Sequence, residues 1–460
     1  MKHYIQVIFF FAVHYSLSGQ LDFSLDQSIA YAIKSSNTMK AEALNIADAE
    51  YRVSEFKAMG MPKLDIGVNY NYNFIRPFQP TEDFITPAVF GVLNQFVFDT
   101  PIDPGEPEVF ELTFARNHNL TGYADFRALL FDPVFLKGLK AAKVSVDLEK
   151  VRSKIGERNI IIEVTKAYLG TLVAYENIDI IKNNLSIVES MLHETTEIYK
   201  AGFAEQLDIS RLELSRDNIK MELDNLIELV EVSKNLLKFH MNYPFEKDIK
   251  LTDDLQMMLD QIQLEEDLMT AAEIDYAKRP EYQVLHKAIE LDEYDIERLG
   301  LRWPVLKGNI SIQESLQRDN LFNGNESGFL PAGFVGLNLN YPIIDGKEKK
   351  SQQERSKIRK ELKELQLDDF KRGMKLEVMN HMTTHRNAKM TLKNRKNALE
   401  ITEAIYKKTQ IKFKEGVGSS VEISQAESSL YQAQAAYIGA LYDVVVTKTD
   451  LDIALGKIKN

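Results

Sequence analysis

The chain lacks cysteine altogether, and this absence excludes several kinds of site. Without thiols there is no disulfide framework, no thiolate metal site and no lipidated N-terminal cysteine. The sequence also lacks a basic block, and its 460 residues carry a formal net charge of -12. Nucleic acid is therefore not an expected partner.

Catalytic motifs are also missing from the sequence. No glycine-rich phosphate loop occurs, and no Ser, His and Asp arrangement stands in a recognisable local context. His381 and His385 have the i, i+4 spacing that can hold a transition metal, but no Glu follows the first His. We therefore expect a solvated helix face there, with no metal, no cofactor, no catalytic residue and no enzyme activity.

No apolar run in the sequence reaches the roughly 20 residues that a membrane-spanning helix needs. The run from Ile5 to Tyr15 follows Lys2 and His3, and small residues come directly after it. This order is typical of a secretory signal peptide at 1–19, although a short buried N-terminal helix would give the same run. We therefore expect an exported protein without a helical membrane span.

Proline is absent from two long regions, 134–243 and 343–460, although the chain contains thirteen prolines. Apolar residues recur in both regions at spacings of three and four, which predicts coiled-coil helices. We expect one long helical hairpin at 134–243 and a second at 346–457. A helix from 135 to 201 would be about 100 Å long.

Each predicted hairpin turns at a glycine within a repeated motif. The stretch 199–210, YKAGFAEQLDIS, recurs 214 positions later as FKEGVGSSVEIS at 413–424. Gly202 and Gly416 are therefore expected in the left-handed conformation that ends a helix. The chain is interpreted as an internal tandem repeat, with repeats at 20–244 and 271–460 joined by a linker with short helices at 245–270.

Four stretches alternate between apolar and polar residues, which predicts strands at 64–74, 117–131, 305–316 and 333–344. A tilted strand of this length spans about 25 Å, the height of the apolar band of an outer-membrane barrel. One face would meet lipid and the other water, although any single strand would also suit a soluble sandwich. The predicted lipid-facing residues of the first strand are Leu64, Ile66, Val68, Tyr70, Tyr72 and Phe74.

The segment 75–116 lies between the first two predicted strands and contains six prolines. So many prolines predict a long loop without regular structure. A surface ligand could bind such a loop, but a cover over the mouth of a barrel is the simpler interpretation.

The order of helix, strand hairpin and long helical hairpin, given twice after a signal peptide, resembles the TolC-like outer-membrane efflux protein family (outer membrane factors). The resemblance implies an α+β membrane protein in which each of three chains gives four strands to a shared 12-stranded β-barrel. The long hairpins of the three chains would form a periplasmic α-barrel. Four strands cannot close a barrel alone, and open strand edges are not tolerated in lipid.

The resemblance also implies roles for residues of the repeated motif. The turns at Gly202, Phe203, Gly416 and Val417 would contact a periplasmic adaptor protein. Glu422 would narrow the channel entrance, together with Gln425, Asp208 and Phe413. Some family members have an acid at the position of Gln425 and a basic residue at that of Gly418, so a tightly latched gate is in doubt. The alternative for Asp208 and Glu422 is that they only stabilise helix N-termini.

The resemblance implies the outer-membrane channel of a tripartite efflux pump, which exports small molecules or ions across the periplasm and outer membrane. The expected partners are two further copies of the chain, an adaptor, an inner-membrane transporter and outer-membrane lipid. The expected location is the outer membrane of a Gram-negative-type cell, with a long periplasmic extension. Two alternatives stay open: the outer channel of a type I protein-secretion system, and an exported coiled-coil scaffold or adhesin without a pore.

Overall fold

The structure is a computed structural model that describes most of the chain. The described residues are 21–76, 78–106, 108–112, 115–266, 275–320, 322 and 329–457. The predicted signal peptide at 1–19 lies outside them, as do residues 267–270 of the predicted linker.

The first half of the chain contains short elements followed by two long helices. In chain order they are β1 (Leu21–Phe23), α1 (Leu25–Ser35), α2 (Asn37–Met59), β2 (Lys63–Tyr72), β3 (Gln79–Glu82), α3 (Ile85–Phe96), β4 (Val109–Leu112), β5 (His118–Phe131), α4 (Pro133–Lys200) and α5 (Gln206–Met241).

The second half ends in the same way, with two strands and two long helices. Its elements are β6 (Ile249–Leu251), α6 (Leu255–Glu266), α7 (Pro280–Gly300), β7 (Val305–Arg318), β8 (Phe329–Asn340), α8 (Glu348–Lys414) and α9 (Ser420–Ala454). Within the described parts of the chain, none of the helices is both long and apolar enough to cross a bilayer.

The chain folds into two compact units, each assembled from separate segments. The helical unit comprises the described residues of Met1–Glu50, Val144–Asp292 and Ile358–Asn460. The sheet unit comprises those of Tyr51–Lys143 and Glu293–Lys357. Each unit therefore takes residues from both halves of the chain.

The core of the helical unit surrounds a short pair of parallel strands. β1 pairs with β6, from Leu21 opposite Ile249 to Phe23 opposite Leu251. Tyr168 of α4 is fully buried there and donates a 2.9 Å hydrogen bond to the Phe23 carbonyl. Full burial of an apolar side chain contributes roughly 1.5–3 kcal/mol. Fully buried apolar members of this core are Ala32, Val164, Leu169, Leu237, Met241 and Ile249.

The sheet unit contains an antiparallel sheet with the strand order β2-β5-β7-β8. Its register places apolar residues in rows across all four strands, such as Leu64, Phe126, Ile310 and Val335. All four of these side chains are exposed in the single chain. The outer sides of β2 and β8 have no strand partner among the described residues.

The opposite face of this sheet is polar over most of its length. Arg127 of β5 pairs with Asp65 of β2, and Ser311 of β7 donates a hydrogen bond to Asp125 of β5. These contacts join three neighbouring strands through their side chains. The sheet therefore has one apolar and one mainly polar face, as the alternation in the sequence predicts.

The prediction of a loop without regular structure at 75–116 is wrong. β3 and β4 pair with each other in antiparallel fashion, and α3 lies between them in the chain. Pro87 is tolerated because it lies in the first turn of α3, where helices do not need its amide as a donor. Asp83 caps this turn, since its carboxylate accepts hydrogen bonds from the amides of Ile85 and Thr86.

Some strand boundaries also differ from the prediction. β2 ends at Tyr72, so Phe74 lies beyond the strand that it was expected to join. The amide of Asn73 still donates to the carbonyl of Asn117 at 2.7 Å, and pairing ends there. β8 begins at Phe329 and ends at Asn340, four residues earlier at each end than predicted.

We expect Tyr168→Phe to loosen the pair of strands in the core of the helical unit. The Phe23 carbonyl would then keep only the amide of Thr252 as a donor. Loss of the hydrogen bond to Phe23 costs about 1 kcal/mol, and the hydroxyl also accepts a longer 3.4 Å bond from the Asp253 amide. Amide exchange in β1 and β6 should therefore become at least about fivefold faster. Tyr51 is exposed, and Tyr51→Phe is the control that should leave exchange unchanged. Equal exchange in wild type and Tyr168→Phe would show that this bond adds no stability.

Candidate functional site

The first glycine turn lies between α4 and α5 in the helical unit. Gly202 has a φ of +85°, which favours glycine because a side chain there would be strained. Its amide bonds to the carbonyl of Tyr199 at 2.9 Å, and the amide of Phe203 bonds to that of Ile198 at 3.0 Å. This pair of bonds is the Schellman ending, which satisfies carbonyls at the helix C-terminus.

The second glycine turn, between α8 and α9, has the same geometry. Gly416 has a φ of +71°. Its amide bonds to the carbonyl of Phe413 at 3.1 Å, and the amide of Val417 bonds to that of Lys412 at 3.0 Å. The repeated motif in the sequence therefore corresponds to one local structure that occurs twice.

The two glycine turns present apolar side chains to solvent. Phe203 is 86% exposed and Val417 is 78% exposed. In a Schellman ending the residue at this position frequently packs against the helix that has just ended. Here neither side chain is covered by the described residues, so both are free to contact another molecule. We call Gly202, Phe203, Gly416 and Val417 the turn pair.

The helices that leave the turns begin with different caps. Glu205 caps α5, and the carboxylate of Asp208 accepts a 3.3 Å hydrogen bond from the Glu205 amide. Ser419 caps α9, and its hydroxyl accepts a 3.2 Å hydrogen bond from the Glu422 amide. The carboxylate of Asp208 is thus engaged in a cap, whereas that of Glu422 is exposed and has no hydrogen-bond partner among the described residues.

The other two predicted gate residues lie in different surroundings. Gln425 is exposed three residues after Glu422, so the two share one side of α9. Phe413 is half-buried and packs against a group of apolar residues that joins the two hairpins. It therefore does not stand free with Glu422 and Gln425. We call this group the tip cluster, and its buried members are Met191, Leu212, Tyr406, Ile423, Ala426 and Leu430.

Polar contacts also join the two hairpins beside the tip cluster. The Arg211 guanidinium on α5 donates a 2.7 Å hydrogen bond to the hydroxyl of Ser420 on α9. Lys414 on α8 lies 2.8 Å from the carboxylate of Glu194 on α4. Because an exposed ion pair of this kind contributes only about 0–1 kcal/mol, the apolar contacts of the tip cluster supply most of the stability.

A buried carboxylate in the tip cluster is a feature that the sequence reasoning missed. Glu427 is 4% exposed, and its carboxylate accepts hydrogen bonds from the hydroxyls of Tyr431 and, at 2.9 Å, Ser215. Burial raises the pKa of Glu427, and the two hydrogen bonds partly offset this effect. The sequence contains one signal of this burial. Glu427 follows Ile423 by four residues and therefore lies on the apolar face of α9.

The histidine pair of α8 does not form the solvated face expected from the sequence. His385 is buried, and its Nδ1 lies 3.0 Å from the Thr447 hydroxyl on α9. The prediction is wrong at this residue because α9 covers the side of α8 that carries it. Among the residues that the structure describes, no group of three His, Asp or Glu side chains is arranged to hold a metal ion.

Comparison by sequence finds that part of the chain is similar to a known family. Residues 305–457 match the family described as outer membrane efflux protein. This segment contains β7, β8, α8 and α9, about a third of the chain. Comparison with curated proteins finds no match. The resemblance inferred from the sequence is thus confirmed, and the match agrees with the predicted outer-membrane location.

Comparison by structure extends the likeness to nearly the whole chain. VceC of Vibrio cholerae has a TM-score of 0.66 at 15% identity, over 94% of this chain and 96% of its own. The CmeC channel of Campylobacter jejuni has a TM-score of 0.65 at 13% identity, and the match covers 95% of this chain and 87% of CmeC. The open MtrE channel of Neisseria gonorrhoeae has a TM-score of 0.65 at 15% identity, and the match covers 94% of this chain and 88% of MtrE. At these identities the agreement establishes the fold.

We expect Gly416→Ala to destabilise the turn between α8 and α9. A side chain at a φ of +71° costs about 1–2 kcal/mol. Gly373 is the matched control, because it lies inside α8 with nothing within 4 Å of an added Cβ. Gly373→Ala should instead stabilise the helix by about 1 kcal/mol. Thermal unfolding midpoints should therefore move in opposite directions, and shifts of the same sign would contradict the assigned turn geometry.

We expect Glu427→Gln to remove a pH-dependent loss of stability. The pKa of Glu427 is raised in the folded state, so this residue favours folding most below its unfolded pKa of about 4.5. That advantage is lost as the pH rises through the folded pKa, because the buried carboxyl must then ionise. The thermal midpoint of Glu427→Gln relative to wild type should therefore increase between pH 4 and pH 8.

The exposed Glu422 provides the control for this pH experiment. Glu422→Gln makes the same change in charge near the same helix end. Its thermal midpoint relative to wild type should not increase between pH 4 and pH 8. A parallel pH dependence for both variants would mean that the burial of Glu427 has no energetic consequence.

Proposed function

We propose that this chain, which shares the fold of outer-membrane channels and matches the outer membrane efflux protein family over residues 305–457, forms a homotrimeric efflux channel. The observation that carries the proposal is the four-stranded sheet, which has one apolar face and, in the part of the chain that the structure describes, no strand partner at either edge. A sheet of this kind satisfies its backbone groups in lipid only if further strands close it into a barrel.

The two faces of the sheet suit a shared barrel of twelve strands. The apolar rows would face lipid, and they keep their register across the four strands except at the shift between Leu129 and Phe131 of β5. The other face would line the lumen with polar contacts such as the 2.8 Å hydrogen bond between Thr121 and Ser315. Trimerisation would pair β2 of each copy with β8 of the next.

The turn pair would contact a periplasmic adaptor protein, and the exposure of Phe203 and Val417 supports this role. Glu422 would belong to the gate, because its carboxylate is exposed and is not used in a cap. Three copies of Glu422 near a threefold axis would attract cations and repel anions. Asp208 is a weaker gate candidate, since its carboxylate already bonds to the α5 cap.

The channel would export small molecules or ions as the outer part of a tripartite pump in the outer membrane. It would do no chemistry, and an inner-membrane transporter would supply the energy through the adaptor. The alternative, the outer channel of a type I protein-secretion system, would require the same barrel and the same helical conduit.

The oligomeric state is the measurement that tests the proposal. We expect detergent-extracted protein to have the mass of a trimer by light scattering corrected for bound detergent. The same preparation should conduct ions across planar bilayers. A water-soluble monomer without conductance would contradict the channel and favour the pore-less scaffold.

We expect Glu422→Gln to reduce the preference of the channel for cations over anions. Three carboxylates near the axis would be lost together, so the reversal potential in a salt gradient should shift towards zero. The control is Glu403→Gln, which removes an exposed carboxylate from the C-terminal part of α8 and not from the turn or from α9. An unchanged reversal potential for Glu422→Gln would remove this residue from the gate.

A further inference from the structure

One cleft in the sheet unit combines apolar and cationic groups at the end of the strands. It has a volume of about 550 Å³ and lies where β5 ends, α4 begins and the chain approaches β7. That volume is in the range of small-molecule sites, about 300–1,000 Å³. We propose that this cleft binds one anionic phospholipid of the outer membrane, an inference that rests on the proposed membrane channel.

The floor of the cleft is aromatic and aliphatic. Trp303 is 55% exposed, and its ring centroid lies 6.1 Å from that of Phe131. Leu136, in the first turn of α4, adds a second exposed apolar surface. Trp is enriched at membrane–water interfaces because its ring is apolar and its N–H is polar. This floor therefore suits the upper part of an acyl chain.

A bulge in β5 brings the aromatic floor to the apolar side of the sheet. The register between β5 and β7 shifts between Leu129 and Phe131, so that Phe131 lies opposite Leu306. Leu306 belongs to the apolar rows, since it pairs with Leu339 of β8. Bulges commonly redirect a side chain at the edge of a barrel. The floor of the cleft thus continues the face that would meet lipid.

Three lysines of α4 line the cleft, and they give it a positive charge in an acidic protein. Lys140 and Lys143 are exposed, and among the described residues neither has a carboxylate partner. Lys137 pairs with Glu297, which neutralises it. The nearby carboxylate of Asp132 caps α4, since it accepts hydrogen bonds from the amides of residues 134 and 135. Two cations therefore remain for a ligand.

The arrangement of these groups matches a phospholipid better than an inorganic anion. Lysine side chains extend along apolar surface while their ammonium groups reach the aqueous phase. Lys140 and Lys143 would hold the phosphate there, and the first carbons of an acyl chain would cover Trp303 and Leu136. A free phosphate would use the lysines and leave the apolar floor exposed.

Trp303 makes the proposal directly measurable, because it is the only tryptophan in the chain. The trimer would be reconstituted into vesicles that contain a small fraction of lipid with brominated acyl chains, which quench tryptophan on contact. We expect brominated phosphatidylglycerol to quench Trp303 at lower mole fractions than brominated phosphatidylcholine does. The apparent affinities should differ by about fivefold for each lysine involved.

Three pairs of variants separate this site from general membrane contact. Lys140→Gln with Lys143→Gln should abolish the preference for the anionic lipid, and Lys140→Arg with Lys143→Arg should retain it. Lys393→Gln with Lys396→Gln is the matched control, since it makes the same charge change at the same spacing on exposed positions of α8. The control should retain the preference. An unchanged trimer mass and unchanged Trp303 emission would show that each variant is folded.

The outcomes separate failure of the site from failure of the channel. Equal quenching by both lipids in the wild type would overturn the lipid site but leave the channel intact. Loss of the bound lipid on addition of inorganic phosphate would also overturn it, because the site would then recognise phosphate alone. If neither lipid quenches Trp303 and the protein is a soluble monomer, the proposed function fails together with the site.

Discussion

Strand β5 is paired on both sides, with β2 and with β7, and these two ladders fix the chemistry of both sheet faces. A slip of one residue in either ladder would move a whole row of apolar side chains to the polar face. The polar side chains oppose such a slip, since Arg127 with Asp65 and Ser311 with Asp125 meet only in the observed register. Among the described residues the outer edges of β2 and β8 have no strand partner, so the proposed barrel would need further strands to close it.

The helical unit is held by contacts of a different kind. Long helices with few glycines and no internal proline need little side-chain specificity to form, but their ends and their packing must be fixed. Gly202 and Gly416 fix the ends through backbone bonds alone, which leaves the side chains after them available for contact. The buried carboxylate of Glu427 lowers stability at neutral pH in exchange for the hydrogen bond from Ser215, which joins the two hairpins. The tip cluster thus joins the hairpins without being as stable as an all-apolar contact would be.

Features that depend on local sequence could be predicted, and those that depend on distant contacts could not. Alternation with period two predicts the strands and their faces because it reflects neighbouring residues only. The prolines at 75–116 were misleading, since Pro87 lies at a helix position that tolerates it. The burial of His385 was missed because α9, which covers it, is far away in the sequence. The cleft at Trp303 depends on a bulge, which the alternating pattern does not reveal.

Exposed apolar residues in the single chain have different meanings in different places. On the sheet they form rows over four strands, interrupted by the exposed Glu314 in the row of Val68, and a surface of that extent suits a fluid apolar solvent such as lipid. At the turns, by contrast, the exposed apolar surface is confined to a few side chains such as Phe203 and Val417, and such small patches would suit a protein partner that contacts them specifically. The cleft combines both properties, because its apolar floor continues the sheet face while Lys140 and Lys143 add charge at its border. A ligand that is apolar at one end and anionic at the other satisfies this combination, and a lipid is the molecule of that kind that the surrounding membrane supplies.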